Sequence, residues 1–262
     1  MESTKRFVEK IRKGGVCIGV GITFTDATVT EALCEILDFL WIDMEHNALS
    51  LEAVQGHLIA AKGSQAVPLV RVCANDPILI KTVLDIGSAG IIVPMVRTVQ
   101  EATMAVQACR YPPEGIRGIG PRRASNYGRL LDADFFRKAN ENILVMVQIE
   151  HKDAVENLDG ILAVPGLSGI AIGRADLSAS MGYTGQWDHP DIDRVVEGIV
   201  RKARQTQLLV GMGGGDDPEI GGKWVKKGVQ WMQMGGDFSL MLRGASEVLT
   251  RMEGHIRQRT SN

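Results

Sequence analysis

Short apolar runs alternate with longer amphipathic stretches along almost the whole chain. The runs at 16–20 (VCIGV), 38–43 (DFLWID), 66–72 (AVPLVRV), 90–95 (GIIVPM), 143–150 (ILVMVQIE), 168–173 (SGIAIG), 207–212 (QLLVGM) and 229–234 (VQWMQM) are apolar at consecutive positions. That pattern predicts strands buried on both faces. Between them lie stretches with helical periodicity, such as LEAVQGHLIAAK, DPILIKTVLDIG, VQEATMAVQACR and DIDRVVEGIVRKARQ. Two carry start signals: Ser50 precedes LEAV, and Asp76 precedes PILI with Pro77 in the first turn.

Each apolar run is followed by a helical stretch, which implies a parallel sheet covered all round. Eight such units in about 250 residues match a closed (β/α)8 TIM barrel, an α/β fold. An open doubly wound sheet is the competing arrangement. No Pro/Ser-rich linker divides the chain, so residues 1–262 read as a single barrel domain. The one long irregular segment is 111–142 (YPPEGIRGIGPRRASNYGRLLDADFFRKANEN), with a short helix expected near Ala133–Ala139. Loops of that length are usually functional, so it is expected near the active site. The start, MESTKRFVEKIRKGG, reads as an amphipathic surface helix.

Composition mainly excludes. The chain is 45% hydrophobic, enough for a full core. A net charge of −2 leaves no footprint for nucleic acid or an anionic membrane. No apolar run approaches the ~18 residues of a membrane span, and the first residues lack a secretory apolar region. Cys17, Cys34, Cys73 and Cys109 are far apart and form no CxxC pair. They read as reduced core thiols in a cytoplasmic protein rather than a disulfide framework or zinc cluster.

The stretch FLWIDMEHN, Phe39 to Asn47, is where chemistry enters. An apolar strand ends abruptly in carboxylates, an imidazole and an amide, which a core would not tolerate without partners or a task. In a barrel, active sites sit at the carboxyl ends of the strands. Asp43, Glu45 and His46 follow the second strand, Arg71 ends the third, Gln148 and Glu150 end the fifth, and Arg174 and Asp176 follow the sixth.

Glu150 and Asp176 are one strand–helix unit apart, so they should sit on neighbouring strands about 5 Å apart. Two carboxylates at that separation repel unless a proton or cation lies between them. A hard divalent ion with metal–oxygen distances of about 2.1 Å fits. With no HxH or HExxH pattern, Mg²⁺, Mn²⁺ or Co²⁺ suits better than zinc. Taken singly, each carboxylate would equally suit a helix cap or an arginine partner. Gln148 shares the inward face with Glu150 and could bond substrate or remain a satisfied core amide. Arg71 needs an anion, either a substrate oxygen or Asp43. His46 is the candidate for moving protons, with Asp43 close enough in sequence to orient it. No lysine ends a strand, so a Schiff base is not favoured over metal polarisation.

WIDMEH, VPLVRV, IIVPMV, YPPEGIRGIG, VQIEHKDAVENLDGI and IGRADLSASMG, in this order and spacing, resemble the HpcH/HpaI aldolase family of metal-dependent class II pyruvate aldolases. The likeness runs from about residue 15 to 240. It implies a (β/α)8 barrel whose last helix is exchanged between subunits, and a homohexamer built as a trimer of dimers. It also implies reversible cleavage of 4-hydroxy-2-oxoacids to pyruvate and an aldehyde through a metal-bound pyruvate enolate. By the same resemblance, Glu150 and Asp176 would be the metal ligands. Arg71 would hold the keto oxygen, and His46, helped by Asp43, would handle protons. Gln148 would lie beside pyruvate, and the backbone at Gly173 and Ala175 would take its carboxylate. Asp85 would reach the neighbouring subunit's His46 region.

Two departures from the family pattern stand out. Arg174 replaces a common proline, and the loop GPRRASNYGR carries Arg122, Arg123 and Arg129. Some of these arginines are expected to attract an anionic acceptor. GMGGGDD stands where the family has a more apolar loop. The rival readings are citrate-synthase-like condensation or acyl-CoA cleavage at the same site, and a metal- or ligand-sensing barrel without turnover.

Overall fold

The apolar runs do close on themselves. A computed structural model describes residues 2–260. Its strands are β1 (Cys17–Ile22), β2 (Phe39–Asp43), β3 (Val67–Arg71), β4 (Gly90–Val93), β5 (Leu144–Ile149), β6 (Gly169–Ile172), β7 (Leu209–Gly213) and β8 (Trp231–Gly236). All pair in parallel, in sequence order, and β8 returns to β1, so the sheet is a closed barrel. The doubly wound alternative is thereby excluded. The helices are α1 (Glu2–Arg12), α2 (Thr28–Leu33), α3 (Leu51–Ala60), α4 (Pro77–Asp85), α5 (Val99–Cys109), α6 (Ala133–Asn142), α7 (Lys152–Glu156), α8 (Leu158–Leu162), α9 (Arg174–Ser180), α10 (Pro190–Ala203), α11 (Pro218–Lys226) and α12 (Asp237–Thr260).

The sequence signals act as expected at several helix starts. Ser50 accepts a hydrogen bond from the Ala53 amide, and Asp76 accepts from the amides of Ile78 and Leu79. Each satisfies donors that the first helical turn leaves open. Strand β8 starts later than its apolar run. At Gln230 the main-chain amide donates to the Val210 carbonyl at 2.7 Å, and the side-chain Oε1 accepts from the Val210 amide at 3.0 Å.

Side chains alternate between two cores, as strand geometry requires. Ile42, Val70, Ile91, Val147, Ile149, Ile170 and Val210 face the helices. Phe39, Trp41, Leu69, Ile92, Met146 and Trp231 fill the barrel interior. Interior space is tight enough that a Cβ on Gly211 would overlap the Trp231 ring. α1 is more than a surface helix: its Phe7 and Ile11 are buried and join the interior core at the amino-terminal end of the strands. The Phe7 and Phe39 rings meet edge-on at 5.8 Å.

Three expectations need correction or limits. Segment 111–142 does hold a helix, α6, but none of its residues lines the cavity at the carboxyl ends of the strands. Two of its arginines turn inward along α4 instead, while Arg122 and Arg129 stay exposed. Arg117 donates to Asp85 at 2.7 Å, and Arg123 donates to the carbonyls of Ile86 and Leu58. Cys73 is exposed, whereas Cys17, Cys34 and Cys109 are buried, and all are free thiols. α12 leaves the barrel with Val248, Leu249 and Met252 exposed. Among the described residues no helix is long and apolar enough to cross a membrane.

Candidate active site

The carboxyl ends of the strands open into a cavity of about 730 Å³, the size of a small-molecule site. Asp43, His46, Arg71, Gln148, Glu150 and Asp176 all line it, as do Gly173 and Ala175. The sequence-predicted residues are therefore brought together, with the exception of Asp85.

Strand register builds the first pair. Asp43 on β2 lies opposite Arg71 on β3. Arg71 donates from Nε to Asp43 Oδ1 and from Nη2 to Oδ2, each at 2.8 Å. This planar two-point contact suits guanidinium and carboxylate. Asp43 also accepts from the Glu45 amide at 3.0 Å and from Asn47 Nδ2 at 2.7 Å. Its carboxylate is thus committed, and the expectation that it orients His46 is corrected. His46 is instead largely exposed at the rim, its Nε2 3.6 Å from Glu45 Oε2.

Arg71 Nη1 lies 2.8 Å from Glu45 Oε2 and donates to Gln148 Oε1 at 3.3 Å. Burial alone would lower the Arg71 pKa, but Asp43, Glu45 and Glu150 outweigh it and hold the pKa above the usual arginine range. From the other side, Gln148 Nε2 donates to Glu150 Oε2. A continuous polar chain therefore runs Asp43, Arg71, Gln148, Glu150 across β2, β3 and β5.

Glu150 is almost fully buried, at 1% exposure. The Met95 amide donates to its Oε1 at 2.6 Å. Met95 has φ of 56°, a left-handed conformation unusual for a side-chain-bearing residue. Burial, with the charges of Glu45 and Asp176 behind it, pushes the Glu150 carboxyl up to about 7, against the Met95 hydrogen bond and Arg71. Burial also raises the Glu45 carboxyl, with Asp43 and Asp176 adding to it and Arg71 and His46 opposing. Gly173 follows β6 beside Glu150; a Cβ there would overlap Glu150 Oε2, so only glycine fits.

Asp176 and Ala175 lie in the first turn of α9, which has no side-chain cap. Amides of an uncapped first turn favour an anion. Arg174, in the same turn, is buried and donates from Nη1 to Asp188 Oδ1 at 2.6 Å. Asp85 ends α4 in its contact with Arg117 and does not line the cavity.

Among the described residues no group of three or more His, Cys, Asp or Glu is placed to hold a metal. A cation here would rest on the two carboxylates of Glu150 and Asp176. Their chemistry fits a hard ion: oxygen donors only, one deeply buried and sharing a repulsive field with the other.

Two participants had no role in the sequence reading, although Glu45 was placed by it at the end of the second strand. Glu45 stood in the quoted stretch, two positions from Asp43, and that spacing was its signal. Met95 contributes a main-chain amide, for which no side-chain pattern exists.

A family model described as HpcH/HpaI aldolase/citrate lyase matches residues 23–243. The chain belongs to this family. Among HpcH/HpaI relatives, a 4-hydroxy-2-oxo-heptane-1,7-dioate aldolase from Klebsiella pneumoniae subsp. pneumoniae is 35% identical, over 98% of this chain and 97% of that one. A crystal structure of an HpcH/HpaI aldolase/citrate lyase family protein from Burkholderia cenocepacia J2315 superposes with a TM-score of 0.88 at 29% identity, over 95% and 99% of the two chains. The citrate synthase SbnG superposes with a TM-score of 0.83 at 30% identity, over 95% and 97%. HpcH/HpaI membership makes the protein an enzyme of the lyase class.

Proposed function

We propose that this protein is a class II aldolase that reversibly cleaves 4-hydroxy-2-oxoacids to pyruvate and an aldehyde. The observation that carries the reading is the buried Glu150 carboxylate, which lines one cavity with Asp176 at the carboxyl ends of the strands. Such a cluster is stabilised by a bound cation, and Glu150 and Asp176 would hold Mg²⁺, Mn²⁺ or Co²⁺. When bound, that ion supplies Lewis acidity for the substrate's carboxylate and keto oxygens.

The chain's own groups supply the rest. Gly173 leaves room for the substrate, and the Ala175 amide faces its carboxylate. His46, at the rim, accepts the proton of the 4-hydroxyl group as the C3–C4 bond breaks. The bonding electrons move to the keto oxygen, and Arg71 Nη1 stabilises the negative charge there. The aldehyde leaves and C3 takes a proton, giving pyruvate. Gln148 keeps Glu150 and Arg71 in register throughout.

Metal-loaded protein should exchange the methyl protons of pyruvate in deuterated water, and a chelator should stop it. It should also release pyruvate from 4-hydroxy-2-oxoheptanedioate. Metal-loaded protein that does neither would sink the proposal. The likeness to SbnG favours one second reading, condensation of an enolate with an oxoacid. Failure to release pyruvate, together with formation of a citrate-like product, would select it.

The exposed apolar positions of α12 support assembly, with the helix exchanged between subunits of a trimer of dimers. In that assembly Asp85 would act towards a neighbouring subunit's site. Light scattering should give a hexamer, and Leu249→Asp should reduce it to smaller species.

A further inference from the structure

Another cavity, of about 410 Å³, lies at the opposite end of the barrel, by the amino-terminal ends of β4 and β5. Its size suits a small molecule. The start of α1, the turn from α4 to β4, the inner side of segment 117–130 and α6 enclose it. Leu84, Ala89, Leu130, Phe135 and Ile143 make most of its wall apolar. Asp85, Arg122 and Arg129 do not line it. Segment 117–130 therefore has two sides, an outer one left for a neighbouring subunit and an inner one facing this cavity.

Arg117, 3% exposed, is the one deeply buried charge among the lining residues. Its Nη2 donates to Asp85 Oδ1 at 2.7 Å, but its buried Nε has no partner. A buried donor left open calls for an acceptor. The charges behind the wall point the same way. Arg110, whose carbonyl accepts from the Arg117 amide at 2.9 Å, is 7% exposed and donates only to the carbonyls of Ile143 and Gly166. Arg123 likewise donates to the carbonyls of Ile86 and Leu58, and a Cβ on Gly87 in the cavity wall would overlap its Nη1. Among the described residues, three guanidinium groups thus share the one carboxylate of Asp85. At the mouth Asp134 is paired with Arg137 and Lys138, and Asp132 caps α6.

We propose that this cavity is an effector site for a monocarboxylate with an apolar body. The carboxylate would take Arg117 Nε, a charge-assisted contact, and the body would lie against Leu130, Phe135 and Ile143. An apolar wall with a single buried cation does not repay the desolvation of a strongly hydrated dianion such as phosphate. Ligand and Asp85 then compete for one guanidinium, so occupancy loosens Asp85. In the assembly proposed above, Asp85 acts towards a neighbouring subunit's site, and occupancy would slow turnover there; this last step rests on that reading.

The test is calorimetric titration of the metal-loaded oligomer with 3-phenylpropanoate, 3-phenylpropanol and inorganic phosphate. The carboxylate should bind once per chain, about tenfold or more tighter than the alcohol or phosphate. Arg117→Gln should abolish binding. Ala139→Leu, on the α6 wall, keeps a good helix former and fills the space, so it should weaken binding by about tenfold or more. Asp85→Asn removes the competitor and should tighten binding by about threefold to tenfold, as linkage requires. The site is overturned if nothing binds, if the alcohol or phosphate binds as well, if Ala139→Leu leaves affinity unchanged, or if Asp85→Asn does. At saturation, methyl-proton exchange of pyruvate should fall by about threefold or more in wild type and stay unchanged in Ala139→Leu. Exchange that ignores the bound carboxylate overturns the effector role. Exchange absent even without it counts against the aldolase reading, and the titrations then decide the site alone.

Discussion

The two ends of the barrel bury ionisable groups with opposite consequences. At the amino-terminal end Cys17 packs beneath α1, its thiol donating to the Phe7 carbonyl. Burial, helped by Asp38, pushes that thiol up to about 12, so it stays neutral at any working pH. At the carboxyl end burial pushes Glu150 only to about 7, and its neighbours are charged. Burial that silences a thiol leaves a carboxylate poised near neutrality. The closed end is sealed by aromatic packing, Phe39 meeting Trp231 at 5.5 Å. The open end is held by hydrogen bonds that tie Asp43, Arg71, Gln148 and Glu150 together beside carboxylates that repel one another. One end contributes stability and the other gives some of it up for chemistry.

The largest expected effect separates these duties at the open end. Glu150→Gln should reduce pyruvate methyl exchange to background while the metal-free fold survives; normal exchange in the purified variant would refute the ligand role. At the closed end Trp231→Ala should cost about 3–5 kcal/mol of stability by emptying the aromatic cluster. Activity per folded molecule should persist, as denaturant melts combined with low-temperature assays would show. A loss of turnover with unchanged stability would break the division. Arg71→Ala should cost roughly 2–5 kcal/mol in kcat/KM, because it strands Asp43 and removes charge from the enolate oxygen. An effect within threefold would contradict it.

A smaller effect tests the poised carboxyl directly. Native Glu150 binds its proton more tightly than an ordinary glutamate, with a pKa of about 7 against 4.5. Its contribution favours the folded state at and below about pH 4.5 and is lost as pH rises to about 7. In chelated protein, wild-type stability relative to Glu150→Gln should therefore fall across that window, by up to about 3 kcal/mol. A flat difference would show that the carboxyl is not perturbed.

Much of this was legible from pattern. Alternation of apolar runs and amphipathic stretches is a direct consequence of a sheet buried on both faces, so all the strands could be read. The collection of Asp43, Arg71, Gln148, Glu150 and Asp176 at one end followed from their places at the ends of those runs. What pattern does not carry is partnership. Asp43 is three residues from His46 in sequence, yet strand register hands it to Arg71. Met95 acts through its backbone, and α1 reads as a surface helix because only Phe7 and Ile11 reveal its sealing role. The inward pairing of Arg117 and Arg123 depends on the path of a long irregular segment, which no periodicity describes.

Trp41 links the two ends. Its ring lies 5.7 Å from Trp231, and the Arg71 guanidinium lies 5.5 Å from it on the cavity side. Two indoles this close couple electronically, and a cation over one of them shifts its excited state. Occupancy of the cavity should therefore be readable without a label, as a change in near-ultraviolet circular dichroism and emission from a chromophore pair inside the barrel.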